Sequence, residues 1–129
     1  MPTVVVLRGL PASGKTTFAE RWMAEKKRGL RVSRDDIRSM HSTESRVIAI
    51  RNQLIANAVR QGMDVIVDET NLREESVKEI KMLVNGHANT EVVSFLHVEP
   101  EECIRRDALR SNPVGKKAIW SMYFKYIKE

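Results

Sequence analysis

Short apolar runs divide the first three quarters of the chain, and polar or glycine-containing segments separate them. The run from Thr3 to Leu7 is continuous and β-branched, which is typical of a strand buried on both faces of a parallel sheet. Shorter apolar runs at Leu30 to Ser33 and Met63 to Val67 predict two more strands. A β-rich stretch from Glu91 to Val98 predicts a fourth.

Between these runs, apolar residues recur at three-to-four spacing, which indicates helices with one buried face. The first helix is predicted from Lys15 to about Lys27, with Gly29 ending it. Further helices are predicted from Thr43 to Gly62, from Arg73 to Leu83, from Glu101 to Leu109, and after Pro113 to near Ile127. Strands that alternate with helices imply a parallel sheet with right-handed crossovers.

Length and composition favour one globular domain, residues 1–129, with 42% apolar and 30% charged residues. The single cysteine, Cys103, excludes an internal disulfide and favours a reducing, cytoplasmic setting. The N-terminal apolar run is too short for a membrane span, so we expect a soluble protein with no membrane partner. A net charge of +5 and a pI near 9.6 favour polyanionic partners such as nucleic acid or nucleotides.

A glycine-rich segment, Gly9 to Thr16, fits the pattern G-x-x-x-x-G-K-[ST] and falls between a predicted strand and a predicted helix. In that context, backbone N–H groups cradle phosphates, Lys15 places a positive charge at the β and γ groups, and Thr16 offers a hydroxyl to Mg²⁺. We therefore predict ATP, or another nucleoside triphosphate, and Mg²⁺ as cofactors. The predicted donor-binding residues here are Gly9, Pro11, Ala12, Ser13, Gly14, Lys15, Thr16 and Thr17.

Carboxylates and arginines follow the second predicted strand in the segment Ser33 to Arg38. Ligands of parallel sheets bind at the carboxyl edge, so these side chains are candidates for the acceptor site. Asp35 is predicted as the base that takes a proton from an attacking hydroxyl, and Arg38 as the clamp for an acceptor phosphate. The alternative is that Asp35 or Asp36 only caps the short helix that follows.

The third predicted strand ends at Asp68, which is placed like the second acidic residue that approaches Mg²⁺, through water, in P-loop enzymes. Thr70 is a candidate contact to the acceptor, although Thr70 or Asn71 could instead cap the next helix. Later in the chain, Arg106 and Arg110 are predicted one turn apart on a helical lid, where an arginine stabilises the transferring phosphoryl group. A solvated arginine face is the alternative.

Four segments, GLPASGKTT, SRDDIR, DETNL and RRDALRSNPVGKKAIWSMY, resemble in this order the kinase domain of phage-type polynucleotide 5′-kinases over nearly the whole chain. The resemblance implies ATP-dependent transfer to 5′-hydroxyl ends of DNA or RNA, in a host cytoplasm if the gene is a phage gene. It implies Lys15 and Thr16 for ATP and Mg²⁺, Asp35 as base, and Arg38 for the acceptor phosphate. It further implies Arg110 as the lid arginine, with Arg106 beside the nucleotide and Val114 against the acceptor base.

The expected fold is a P-loop NTPase-type three-layer α/β sandwich, with about four parallel strands in the order 2-3-1-4 and a C-terminal helical lid. The chain departs from the family at Ala12, where many relatives have glycine, and at Thr16, where serine is commoner. It also lacks the D-x-D-G-T signature of the phosphatase domain of bifunctional members. The aromatic residues Trp22, Trp120, Phe124 and Tyr126 are expected in a core or interface.

Two other functions remain open from the sequence: a P-loop kinase of a small hydroxylated metabolite, and a nucleotide-gated binding module without transfer. Asp35 and Arg38 argue against the binding module, because binding alone needs neither a base nor an acceptor clamp. The sequence leaves the oligomeric state, the donor base and the DNA or RNA preference open.

Overall fold

The computed structural model describes residues 1–40 and 43–128, and its centre is a four-stranded parallel sheet. The strands are β1 (Thr3–Arg8), β2 (Gly29–Val32), β3 (Asp64–Val67) and β4 (Asn89–Ser94), in the spatial order β2-β3-β1-β4. In register, Val5 of β1 lies between Ile66 of β3 and Glu91 of β4. This arrangement confirms the predicted fold class and strand order.

Helices cover both faces of the sheet and the edge where the strands end. They are α1 (Lys15–Glu25), α2 (Arg34–Arg38), α3 (Glu44–Arg60), α4 (Glu74–Val84), α5 (Pro100–Asp107) and α6 (Lys116–Met122). A π-helical segment, Tyr123–Ile127, continues α6. Among the described residues, no helix is both long and apolar enough to cross a membrane.

Three apolar clusters explain why β1 is continuously hydrophobic. Val4 and Val6 face the side of the sheet covered by α3 and α4, whereas Val5 and Leu7 face α1. A third cluster lies beyond the strand ends and joins Leu10 of the glycine-rich loop to the C-terminal helices. A strand buried on both faces has no polar face to present, so its alternation disappears.

Several predicted boundaries are wrong, and each has a local cause. Gly29 does not end α1, which stops at Glu25; it is the first residue of β2. Strand β4 ends at Ser94 because Phe95 packs beneath the glycine-rich loop, and Val98 then donates its N–H to the Phe95 carbonyl in a turn. The apolar residues from 95 to 98 therefore supply core contacts from a loop.

The prediction that Arg106 and Arg110 share one helix is also wrong. Helix α5 ends at Asp107, and Arg110 lies in the turn that follows. The side chain of Asp107 accepts backbone N–H groups from Val114 and Gly115 at 3.0 and 2.8 Å, which turns the chain away from the helix axis.

Of the four aromatic residues expected in a core or interface, Trp22 packs against the cluster on the α1 face. Phe124 and Tyr126 are exposed, at 54% and 39% of their surface, so a core position is wrong for both.

Candidate active site

The glycine-rich loop joins β1 to α1 and surrounds the amino end of that helix. Gly14 has φ 111° and Ala12 has φ 63°, both left-handed backbone conformations. For Ala12 this conformation costs about 1–2 kcal/mol, a strain that a glycine at this position would avoid. Position 9 requires glycine, because a Cβ there would lie 2.6 Å from Ser13 Oγ and 2.8 Å from Phe95 Cβ.

Lys15 is buried inside this loop. Its Nζ donates to the carbonyl oxygens of Gly9 and Leu10 at 2.9 and 2.6 Å. Burial lowers the pKa of Lys15 to about 8, and the nearby Asp68 carboxylate partly opposes that shift. The loop thus holds an ammonium group, close to neutralisation, where a phosphate would arrive.

Asp68, which directly follows β3, accepts hydrogen bonds from the start of α1 and from β2. Its Oδ2 accepts the Thr16 hydroxyl at 3.1 Å and the Nε and Nη2 of Arg31 at 2.9 and 2.7 Å. The Asp68 side chain is only 3% exposed, so Arg31 supplies the charge that makes its burial tolerable.

The oxygens of Thr16 and Asp68 fit a magnesium ion. Mg²⁺ takes hard oxygen ligands, keeps several waters, and is usually bound through one or two protein groups together with substrate phosphates. Among residues 1–40 and 43–128 there is no group of three or more His, Cys, Asp or Glu side chains placed to hold a metal. A Mg²⁺ ion would therefore depend on these two residues and on the nucleotide.

Two of the predicted acceptor residues, Asp35 and Arg38, lie together on α2. Arg38 donates to Asp35 through Nη1, and its Nε and Nη2 both donate to the Glu44 carboxylate at 2.9 Å. Asp35 remains 87% exposed, whereas neighbouring Asp36 pairs with Arg31 at 2.8 Å. Both carboxylates line the second cleft, but they have different partners: Asp35 pairs with Arg38, whereas Asp36 pairs with the arginine that holds Asp68.

The capping alternatives are not what the structure contains. Helix α2 starts at Arg34 after Ser33, so Asp35 and Asp36 lie within its first turn. Helix α4 starts at Glu74 after Arg73, so neither Thr70 nor Asn71 caps it. Asn71 instead donates Nδ2 to the Leu7 carbonyl at 2.8 Å, and the Thr70 carbonyl accepts the Gly9 N–H at 2.9 Å. These bonds attach the loop after β3 to the glycine-rich loop.

Glu69 connects α2 and α3 to the end of β3. Its side chain is 3% exposed and accepts from Arg51 Nη1 of α3 at 2.7 Å. It also lies 2.8 Å from Arg34 Nε and accepts the Arg34 backbone N–H at 3.1 Å. Burial raises the pKa of Glu69, and the two arginines hold back part of that rise. This buried cluster fixes the first residue of α2, the helix that carries Asp35 and Arg38.

The lid residues follow the same pattern of fixed backbone and exposed side chain. Arg110 donates to Asp107 at 3.3 Å, yet 47% of its side chain is exposed. Burial by itself would raise the pKa of Asp107, but hydrogen bonds from the backbone N–H groups of Gly115 and Val114 lower this pKa below its usual value. Asp107 therefore stays ionised and holds Val114 near Arg110.

Two clefts open on either side of the glycine-rich loop. The first, about 760 Å³, contains Arg106 and is lined on its far side by Phe95 and His97. The second, about 540 Å³, contains the acceptor residues Asp35, Arg38, Thr70 and Val114 together with Asp68. Lys15, Thr16 and Arg110 line both clefts, so the predicted site residues meet at one boundary.

Sequence reasoning missed Arg31, Glu69, Arg51 and Asp107. Arg31 has a usable signal, because it precedes the end of a strand whose neighbour ends in Asp68. Glu69 directly follows Asp68, but its role depends on Arg51, which lies 18 residues earlier in sequence. Asp107 lies among Arg105, Arg106 and Arg110, so its sequence position suggests an ion pair rather than a turn.

Comparison with known proteins assigns the family. The sequence model of the AAA domain family matches residues 4–122, and the chain belongs to that family. The fold and this match together make it a domain of the P-loop kinase fold.

Relatives within this fold differ in what they act on. A chain of the Pnkp1/Rnl/Hen1 RNA repair complex superimposes with a TM-score of 0.84 and 26% identity, over 97% of this chain and 44% of that one. A gluconokinase from Sinorhizobium meliloti 1021 superimposes with a TM-score of 0.70 at 15% identity, over 99% of this chain and 76% of that one, which shows the fold alone.

Among curated proteins, the L-seryl-tRNA(Sec) kinase of Methanococcus maripaludis is 26% identical over 132 residues. That match covers 95% of this chain and 52% of the relative. This chain therefore spans about half the length of the curated relative it matches.

The lowered pKa of Lys15 predicts pH-dependent nucleotide binding. Below pH 8 the ammonium is charged before ATP arrives, whereas above pH 8 binding must take up a proton. ATP affinity should therefore fall as pH rises, by up to tenfold per pH unit between about pH 8 and 10. Calorimetry in buffers of different ionisation enthalpy measures both affinity and proton uptake. Flat affinity to pH 9.5, with no proton uptake, would contradict the assignment.

The buried Arg51 predicts a large stability loss when its charge is removed. Arg51→Met leaves Glu69 buried with one partner fewer, which costs about 3–5 kcal/mol of unfolding free energy. Urea unfolding measures this loss. Arg46→Met, the same change at an exposed position of the same helix, should cost less than about 0.5 kcal/mol. Equal losses in the two variants would refute the role of the cluster.

Proposed function

We propose that this chain is an ATP-dependent polynucleotide 5′-hydroxyl kinase, which transfers the γ-phosphate to 5′-hydroxyl ends of DNA or RNA in nucleic acid end repair. Residues 1–129 act in this proposal as one kinase domain. The observation that carries it is the meeting of two clefts at Lys15, Thr16 and Arg110, with the Asp35–Arg38 pair on one side only.

In the proposed reaction, the nucleotide occupies the cleft beside Arg106 and its γ-phosphate reaches the boundary. Asp35 accepts the proton of the 5′-hydroxyl, whose oxygen forms a bond to the γ-phosphorus as the bond to the leaving ADP oxygen breaks. Lys15 and Arg110 stabilise the charge that develops on the transferred group. A bound Mg²⁺ ion, held by Thr16 and by Asp68, would neutralise phosphate charge.

The acceptor cleft favours a phosphate-bearing acceptor over a plain hydroxyl compound. Arg38 is 43% exposed although Asp35 and Glu44 orient it, so its guanidinium can take a phosphate without losing its support. Val114 and Met122 supply an apolar wall in the same cleft, which suits a nucleobase. A sugar or other small metabolite without a phosphate would need Asp35 as a base, but it would use neither Arg38 nor the apolar wall.

The relatives add support of the same kind. One belongs to an RNA repair complex, and the other is named as a kinase of the seryl group on a tRNA. The net charge of +5 also suits a polyanionic acceptor.

The test is transfer of label from γ-labelled ATP with Mg²⁺ to a 5′-hydroxyl oligonucleotide, beside the same oligonucleotide with a 5′-phosphate. Label should enter the 5′-hydroxyl strand alone. Asp35→Asn should lower kcat by about 10²–10⁴-fold at unchanged ATP affinity, because it removes the general base.

Asp36→Asn is the matched control, since it removes the neighbouring carboxylate, which also lines the cleft but pairs with Arg31. It should lower kcat less than tenfold. Transfer to small hydroxylated metabolites with none to oligonucleotides would replace the proposal with a metabolite kinase. Intact ATP binding with no transfer to either would leave only a nucleotide-gated binding module.

A further inference from the structure

The C-terminal helical segment, residues 116–128, buries one face and exposes the other. Its inner face packs on the third apolar cluster through Ile119, Met122, Tyr123 and Ile127. The outer face repeats at every fourth position, and we call this set the aromatic stripe: Lys116, Trp120, Phe124 and Lys128.

The two rings of the stripe stack on each other. Trp120 and Phe124 are parallel to within 21°, with ring centroids 5.5 Å apart. Lys128 Nζ lies 5.0 Å from the centre of the Phe124 ring, and Phe124 is 54% exposed. Packing does not explain a partly exposed aromatic pair beside cations, because the inner face already supplies the packing of this helix.

Charge along this segment is of one sign. From Ala108 to Lys128 the sequence has five Arg or Lys residues and no Asp or Glu. A positively charged track that carries aromatic rings is the arrangement with which proteins bind single-stranded nucleic acid, because lysines follow the backbone and bases stack on the rings.

The helical segment that carries the stripe also supplies one wall of the proposed acceptor cleft. Val114 lies two residues before the stripe begins, Met122 lies within the same helix, and both line that cleft. Lys128 lies 12 residues after Lys116, which corresponds to about 18 Å at a helical rise of about 1.5 Å per residue. At about 3.4 Å per stacked nucleotide, this length accommodates about five nucleotides.

We propose that the aromatic stripe binds the acceptor strand beyond its 5′ end, as a single-stranded polynucleotide of about five nucleotides. This inference rests on the proposed function, since it assigns the remainder of the same substrate. The stripe sets affinity for long acceptors, and the Asp35–Arg38 pair acts on the terminal nucleotide.

Fluorescence anisotropy with a labelled single-stranded octanucleotide tests the binding surface without any transfer. Lys116→Glu/Lys128→Glu should weaken binding at least tenfold and lower the slope of log affinity against log salt by about 1.4 for two lost contacts. Phe124→Leu, which keeps the apolar surface but removes the ring, should weaken binding at least threefold. The control Lys78→Glu/Lys81→Glu makes the same charge change at exposed positions of α4 and should change binding less than threefold.

Kinetics separate this inference from the proposed function. Adenosine 3′-phosphate is too short to reach the stripe, so transfer to it reports the proposed function alone. The stripe variants should keep their KM for adenosine 3′-phosphate and raise the KM for the octanucleotide at least tenfold. Absence of transfer to both acceptors by the unaltered protein would refute the proposed function, whatever the anisotropy shows.

Three results would overturn the stripe itself. One is equal octanucleotide binding by the unaltered protein and the stripe variants. Another is an equal loss in the α4 control, which would make net charge the cause. The third is self-association of the unaltered protein, measured by sedimentation and lost in Phe124→Leu, which would make a second copy of this chain the occupant.

Discussion

The site depends on a constraint of the parallel sheet: strands β1, β2 and β3 all end at one edge, and their polar side chains must neutralise one another there. Asp68 is the centre of this edge, where Thr16 and Arg31 converge on one carboxylate oxygen. A carboxylate that is 3% exposed needs such partners. Because Arg31 also pairs with Asp36, the charge balance of the phosphate loop extends into the acceptor helix.

A second buried carboxylate, Glu69, extends the same arrangement outward. It holds the start of α2 and the middle of α3, so the exposed Asp35 and Arg38 rest on a rigid base. Preorganised charged groups stabilise a transition state more effectively than mobile ones, since they need no rearrangement when charge develops. The two clefts therefore differ in their lining: the glycine-rich loop lines the first with backbone N–H groups, whereas ion-paired side chains line much of the second.

Much of the fold follows from local sequence, because β1 and β3 contain continuous apolar runs, which are typical of buried strands. The glycine-rich loop is equally predictable from sequence, since its glycines and Lys15 stand at fixed spacing. Sequence could not give the Glu69–Arg51 pair or the Asp107 turn, because both depend on where separate elements meet in space. Gly29 and residues 95–98 misled the prediction, since a glycine can open a strand and a β-rich segment can pack from a turn.

The stereochemical course at phosphorus tests the central claim that the two clefts face each other across one phosphate position. ATP with a chiral, sulfur- and isotope-labelled γ-phosphate would be transferred to a 5′-hydroxyl oligonucleotide, and the configuration of the product determined. A single in-line transfer between the clefts predicts inversion at phosphorus. Retention would mean two successive transfers through a phosphorylated side chain, and would contradict direct passage from the donor cleft to the acceptor cleft.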